Sequence, residues 1–107
     1  MTEKDIQIEM DRIMTQAASI KEVADANTEK IQQLINEARD ASMAGDNEKY
    51  WACTNEALSR RKQSELYCKM LERTSEDCRR LLVTAYGPVG GMMYDAIIRK
   101  QQEEMGS

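Results

Sequence analysis

The sequence predicts an all-α protein: a long antiparallel helical hairpin, similar to a coiled coil, followed by a short third helix. Three observations predict this fold. Leu, Ile, Val and Phe together number only 17, while Ala, Glu, Lys, Leu and Arg supply 44 residues, a composition typical of long helices with a thin core. Apolar residues in the first third of the chain recur at alternating steps of three and four. Only residues 44–47 and 87–91 interrupt the helical pattern, so the chain divides into three helices.

The first helix is predicted from about residue 3 to about residue 43, with Thr2 or Asp5 at its start. Its apolar stripe repeats every 3.5 residues on average, which is typical of a helix that packs along its whole length against another. The positions of this stripe are Ile6, Met10, Ile13, Ala17, Ile20, Ala24, Asn27, Ile31, Leu34, Ala38 and Ala41.

The second helix is predicted from about residue 47 to about residue 86, after a short turn at 44–47. Gly45 suits the end of the first helix, and Asp46 or Asn47 suits the cap of the second. A turn this short makes the two helices antiparallel neighbours, so facing residues have numbers that add up to about 91. The best matching stripe in the second helix is Tyr50, Thr54, Ala57, Arg61, Ser64, Cys68, Leu71, Ser75, Cys78, Leu82 and Ala85.

The third helix is predicted from about residue 92 to about residue 105, after a Gly/Pro break at 87–91. Folded back, it covers apolar residues at the open end of the hairpin through Met93, Ile97, Tyr94 or Ile98. Alternatively, the three glycines of the break form a hinge, and the Met-rich helix swings out to enter a groove on a partner.

A polar layer interrupts the apolar stripe at Asn27. The pairing rule places Asn27 opposite Ser64 and beside Arg61. Because a slip in pairing would leave the Asn27 amide without a partner, we expect this layer to fix the register of the hairpin at a cost in stability.

Several large apolar residues near the turn lie off both stripes: Ile35, Met43, Trp51 and Leu58. The third helix is too short to reach them. An uncovered apolar patch that contains the only Trp of the chain indicates a protein–protein contact, most simply a homodimer that completes a four-helix bundle. The alternative is that a bend in the long helices buries the patch internally.

The second helix also carries a basic stretch, formed by Arg60, Arg61, Lys62, Lys69, Arg73, Arg79 and Arg80. Such a stretch can follow nucleic-acid phosphates. Four acidic residues interrupt it and the acidic first helix runs alongside, so we expect salt bridges within the chain to use these cations. Nucleic acid is therefore the less favoured partner.

Catalysis and metal binding find no support in the sequence. Histidine is absent, and the three cysteines are too far apart for one metal site. We expect no catalytic residue, no metal ligand and no cofactor. We expect buried roles for Cys53, Cys68 and Cys78, with a reactive thiol at Cys68 as a minor alternative.

No uninterrupted apolar stretch resembles a signal peptide or a membrane span, and the odd number of cysteines is unlike a disulfide framework. We therefore expect a cytoplasmic protein without a membrane role, and we assign it to no family from its sequence. The expected function is a non-enzymatic helical interaction module, such as an adaptor, a chaperone-like protein or a regulator, which binds another protein or itself.

Overall fold

The computed structural model describes residues 2–106, which form three helices and no strand. Helix α1 runs from Glu3–Met43, α2 from Asn47–Tyr86 and α3 from Pro88–Met105. The predicted all-α class is confirmed, with two long helices packed against each other and a short third helix after them. The described residues belong to two packed units: the terminal unit (2–17 and 72–106) and the hairpin unit (18–71).

Helix α1 begins with a reciprocal cap between Thr2 and Asp5. The Thr2 hydroxyl accepts the backbone N–H of Asp5 at 3.2 Å, and an Asp5 carboxylate oxygen accepts the backbone N–H of Thr2 at 3.3 Å. The pair satisfies two backbone donors that the first helical turn leaves without partners. Both residues named as possible starts therefore act together.

The turn between α1 and α2 has the geometry that Gly45 permits. Gly45 adopts φ 76°, and the N–H of Asp46 donates to the carbonyl of Ala41 at 2.8 Å. This is a Schellman motif, which uses the carbonyls at the end of α1. The Asp46 carboxylate then accepts the N–H of Lys49 at 3.1 Å, so Asp46 rather than Asn47 caps α2.

The break before α3 is narrower than the predicted 87–91, and α3 begins at Pro88 rather than near residue 92. Gly87 alone separates the two helices, with φ 70°. Proline suits the first helical position, because the N–H that it lacks has no partner there in any case. Gly90 and Gly91 are buried inside α3, so the three glycines do not form one flexible segment.

Within the terminal unit, α3 packs on α2. A Cβ at Gly90 would lie 2.1 Å from the carbonyl oxygen of Leu82, which shows how closely the two backbones approach. The hydroxyls of Ser75 and Tyr94 form a hydrogen bond, and Arg79 pairs with Asp95 at 3.2 Å. The core of this unit consists of Ile6, Ile13, Cys78 and Leu81, with Met10, Ala85 and Tyr94 against it.

Within the hairpin unit, Leu34, Ala38 and Cys53 form the buried core, with Tyr50 and Ala57 packed against them. The buried residues of α1 all lie on the predicted stripe. Six of them recur at intervals of seven (Ile6, Ile13, Ile20, Asn27, Leu34 and Ala41), and Ala38 is the seventh.

The stripe of α2 differs from the prediction by one residue at four positions. Arg60 and Tyr67 are partly buried, whereas the predicted Arg61 and Cys68 are exposed. Thr74 and Leu81 are buried, whereas the predicted Ser75 and Leu82 are only partly buried. A helix with 3.6 residues per turn drifts relative to a 3.5-residue repeat, so the inward position moves by one residue along α2. The expectation of a buried Cys68 was therefore wrong.

The other two cysteines are buried, as expected. The Cys53 thiol lies 3.7 Å from a carboxylate oxygen of Glu37, to which it donates. Burial raises the pKa of the Cys53 thiol, and the negative charge of Glu37 raises it further. Burial likewise raises the pKa of Cys78, with Asp77 as a second cause.

These environments predict selective thiol chemistry. At pH 8 we expect a maleimide to modify Cys68 first, and Cys53 and Cys78 about tenfold or more slowly, because burial disfavours their thiolates and restricts access. Mass spectrometry of peptides from a time course checks the order. Equal rates for the three thiols in the absence of denaturant would contradict the described packing.

The close approach of α3 to α2 predicts different effects for two neighbouring glycines. Gly90→Ala places a methyl group against backbone, which cannot give way, and we expect the free energy of unfolding to fall by about 1 to 3 kcal/mol. Gly91→Ala meets only the side chains of Arg79 and Val83, at 3.1 Å each, and these can move. The better helix propensity of Ala offsets that contact by roughly 1 kcal/mol.

Urea unfolding followed by circular dichroism measures both variants. A Gly90→Ala variant as stable as Gly91→Ala would show that the two helices do not approach as described.

Candidate protein-interaction groove

An open groove of about 340 Å³ lies between α1 and α2 in the hairpin unit. Most of its lining is apolar, and its two charged residues are both arginines. From α1 come Ile31, Leu34, Ile35, Ala38 and Arg39, and from α2 come Tyr50, Thr54, Ala57, Leu58 and Arg61.

Small side chains leave room for the groove. Ala38, Thr54 and Ala57 lie along its lining, between the larger side chains of Ile35 and Leu58. Ile35 directly follows Leu34 of the core, and Leu58 directly follows Ala57, which packs against the core. Each side chain therefore points about 100° away from its neighbour on the stripe. The result is a depression with apolar walls that no residue of the hairpin unit fills.

Ile35 and Leu58 belong to the predicted apolar patch, and the structure brings them together in this groove. They are 43% and 52% exposed. The alternative, in which the patch is buried internally, does not apply to these two side chains. Removing apolar surface from water lowers the free energy, so contact between these two side chains and apolar side chains of a partner would be favourable.

Trp51 and Met43, the other members of the predicted patch, lie outside the groove lining. The Trp51 ring is 59% exposed and meets the ring of Tyr50 edge-on, with 5.3 Å between centroids. Since Tyr50 lines the groove, Trp51 is one aromatic contact away from it. Met43 ends α1 and is 82% exposed.

The polar layer lies beside the groove and is centred on Asn27, which is 5% exposed. The Asn27 amide donates to the carbonyl of Arg60 and to the hydroxyl of Ser64, at 2.8 Å each. The Arg60 guanidinium donates to the Asn27 side-chain oxygen at 3.3 Å. Arg60 thus takes the place predicted for Arg61, which lines the groove instead.

Met93 and Ile97, the predicted binding residues of the third helix, belong to the terminal unit and line no part of the groove. Both are about half exposed, while Tyr94 between them packs on the core of that unit. Helix α3 therefore docks through one side and leaves these two residues on the other.

The predicted basic stretch is divided between the two units, with Arg60, Arg61, Lys62 and Lys69 in the hairpin unit and Arg73, Arg79 and Arg80 in the terminal unit. Two of its members form salt bridges. Arg60 pairs with Glu56 at 3.3 Å, and Arg79 with Asp95 at 3.2 Å. Two of the seven positive charges of the basic stretch are therefore paired with carboxylates of the same chain.

Arg39 is the groove residue that sequence reasoning missed. It lies four residues after Ile35, one helical turn along the same side of α1. That spacing was the available signal, because a cation one turn from an uncovered apolar residue lies at the edge of the same surface.

Residues 2–106 contain no group of three or more Cys, Asp or Glu side chains placed to hold a metal ion. None of their helices is long and apolar enough to cross a membrane.

The chain matches no protein-family model, no curated protein and no solved structure. The groove is therefore interpreted from its own residues.

The polar layer predicts an unusual stability change. In Asn27→Leu, Ser64 and Arg60 keep other partners, in the preceding helical turn and in Glu56, so no buried group is left unpaired. We expect the free energy of unfolding to rise by about 1 kcal/mol, while the pairing of α1 with α2 becomes less specific. Asn36→Leu, the same change at an exposed position of α1, is the matched control.

Urea unfolding measures the stability, and an amide NMR spectrum measures specificity. More than one signal per residue would reveal mixed registers. A destabilised Asn27→Leu variant with a single set of signals would contradict the role given to this layer.

Proposed function

We propose that this chain is a non-enzymatic helical protein–protein interaction module and that the groove of the hairpin unit receives an amphipathic helix from another protein. The observation that carries the proposal is the open groove of about 340 Å³ with Ile35 and Leu58 exposed on its walls. A module of this kind acts as an adaptor, a chaperone-like protein or a regulator.

The shape of the groove supports a helix as the occupant. It runs between two antiparallel helices, and its apolar walls are a helical turn or two long. An amphipathic helix presents an apolar stripe of matching width, with side chains at i, i+3, i+4 and i+7. Its insertion would give the two helices a third neighbour, as in a helical bundle.

The chemistry of the cysteines supports a reducing environment for this module. Cys53 and Cys78 are packed as buried free thiols, which suits proteins in which disulfides do not form. We propose a cytoplasmic role on this basis.

The sequence also predicts self-association, and this stays a prediction. A homodimer would use the same groove. A second copy would offer its own Ile35 and Leu58 to the groove and complete a four-helix bundle. Its mass would be about 24 kDa, twice that of the 12.2 kDa chain. Nucleic-acid binding has less support, because Arg60 and Arg79 already pair with acidic residues of the chain.

The proposal predicts that polar groove walls abolish binding without unfolding the protein. The probe is a designed peptide of about 18 residues, roughly 27 Å long as a helix, with one Leu stripe and Ala and Gln elsewhere. We expect the double variant Ile35→Gln/Leu58→Gln to bind it at least about tenfold more weakly, since two apolar contacts are lost. Fluorescence anisotropy of the labelled peptide measures the affinity.

The matched control is Ile8→Gln/Leu66→Gln. Ile8 and Leu66 are each 58% exposed and lie outside the groove lining. Equal binding by the two double variants, or no binding by the wild-type protein when it is a monomer, would overturn the proposal. A wild-type mass near 24 kDa that Ile35→Gln/Leu58→Gln halves would identify a second copy as the occupant.

A further inference from the structure

The two charged residues of the groove are both cations. Arg39 and Arg61 line it from opposite walls, and no carboxylate is among its lining residues. Neither guanidinium forms a salt bridge or a hydrogen bond with any residue between 2 and 106. The groove therefore combines apolar walls with two cations whose charge the described chain leaves unpaired.

Three arginines outside the groove form salt bridges: Arg12, Arg60 and Arg79. Arg73 and Arg80 of α2 form none with residues 2–106, so the lack of a salt bridge is not by itself particular to the groove. Arg39 and Arg61 are distinguished by their position beside apolar walls with no carboxylate in the lining, whereas both depressions that Arg80 lines contain acidic residues. A planar guanidinium at the edge of an apolar surface is suited to a partner's carboxylate, which it can bind through two parallel hydrogen bonds.

The two cations lie toward opposite ends of the groove. Asn27 donates to the Arg60 carbonyl and to Ser64, which agrees with facing residues whose numbers add up to about 91, so Arg61 lies near the level of residue 30 in α1. Arg39 is about nine residues further along α1, about 14 Å at 1.5 Å per residue. On a bound helix, the same distance separates residues between two and three turns apart.

We propose that the occupant of the groove is an acidic amphipathic helix of a partner protein, whose apolar stripe enters the groove and whose carboxylates, two to three turns apart, pair with Arg39 and Arg61. This inference rests on the proposed function and adds the chemistry of the partner.

Charge favours such a helix over a second copy of this chain. If two copies met groove to groove, each would add two arginines and no groove carboxylate to the interface. Like charges brought close in a partly desolvated contact oppose binding, whereas opposite charges favour it and orient the partner. An acidic helix from another protein is the occupant that neutralises both cations.

Three designed peptides test the inference. All share one Leu stripe, and their positions near the two ends, two to three turns apart, carry Glu, Gln or Lys. We expect the Glu peptide to bind the wild-type protein at least about tenfold more tightly than the Lys peptide, with the Gln peptide between them. We also expect the preference to weaken as salt is added, since the ion pairs lie at the rim.

Charge reversal in the protein supplies the decisive comparison. In Arg39→Glu/Arg61→Glu we expect the order of the peptides to invert. Lys4→Glu/Lys49→Glu changes the net charge by the same amount at two exposed positions outside the groove, and we expect it to keep the wild-type order. Circular dichroism shows whether both variants stay helical.

The outcomes separate the two proposals. Equal affinity for the three peptides, with all binding lost in Ile35→Gln/Leu58→Gln, would overturn the acidic-helix inference and leave the interaction module standing. A Glu preference that survives in Arg39→Glu/Arg61→Glu would overturn it as well, since the preference would then come from elsewhere in the chain. No binding of any peptide by a monomeric protein would overturn both.

Discussion

The hairpin unit depends on one constraint: each of two packed helices buries only one stripe of its side chains. In α1 that stripe includes Leu34, and Ile35 is the next residue around the helix. In α2 the corresponding neighbours are Ala57 and Leu58. An apolar side chain just beyond the stripe contributes little to the stability of the hairpin, because its outer half stays in water. The remaining apolar surface contributes favourable free energy only when another surface covers it. The thin core of the hairpin therefore leaves apolar surface that the proposed binding role would use.

The polar layer affects the shape of the groove because it influences the register of α1 against α2. Asn27 bonds to Arg60 and Ser64, which lie one helical turn apart on α2, and this pairing favours one register between the helices. A slip by one helical turn would move Leu58 about 5 Å along α1 relative to Ile35. The same amide that interrupts the apolar stripe therefore keeps the two walls of the groove opposite each other.

The sequence predicted the fold well where strong local signals exist. The seven-residue spacing in α1 and the Schellman turn at Gly45 placed the first two helices at their observed bounds. Prediction was weaker where a choice depends on packing between helices. Whether Arg60 or Arg61 turns inward follows from the drift of α2 against α1, and no local signal reports it. The start of α3 at Pro88 was missed because buried glycines and a flexible break look alike in a sequence.

For the candidate site, the sequence predicted the apolar walls but not the groove. Ile35 and Leu58 were recognisable because they lie off the stripes, whereas Arg39 becomes meaningful only beside Arg61 on the opposite wall. In the proposed complex the two cations lie at opposite ends and on opposite walls, so charge alone accepts a helix in either direction. The apolar residues differ between the ends, with the aromatic ring of Tyr50 toward the turn and the aliphatic side chain of Ile31 toward the polar layer. The direction of a bound helix is therefore set by the shapes of its apolar side chains, while the arginines select its charge.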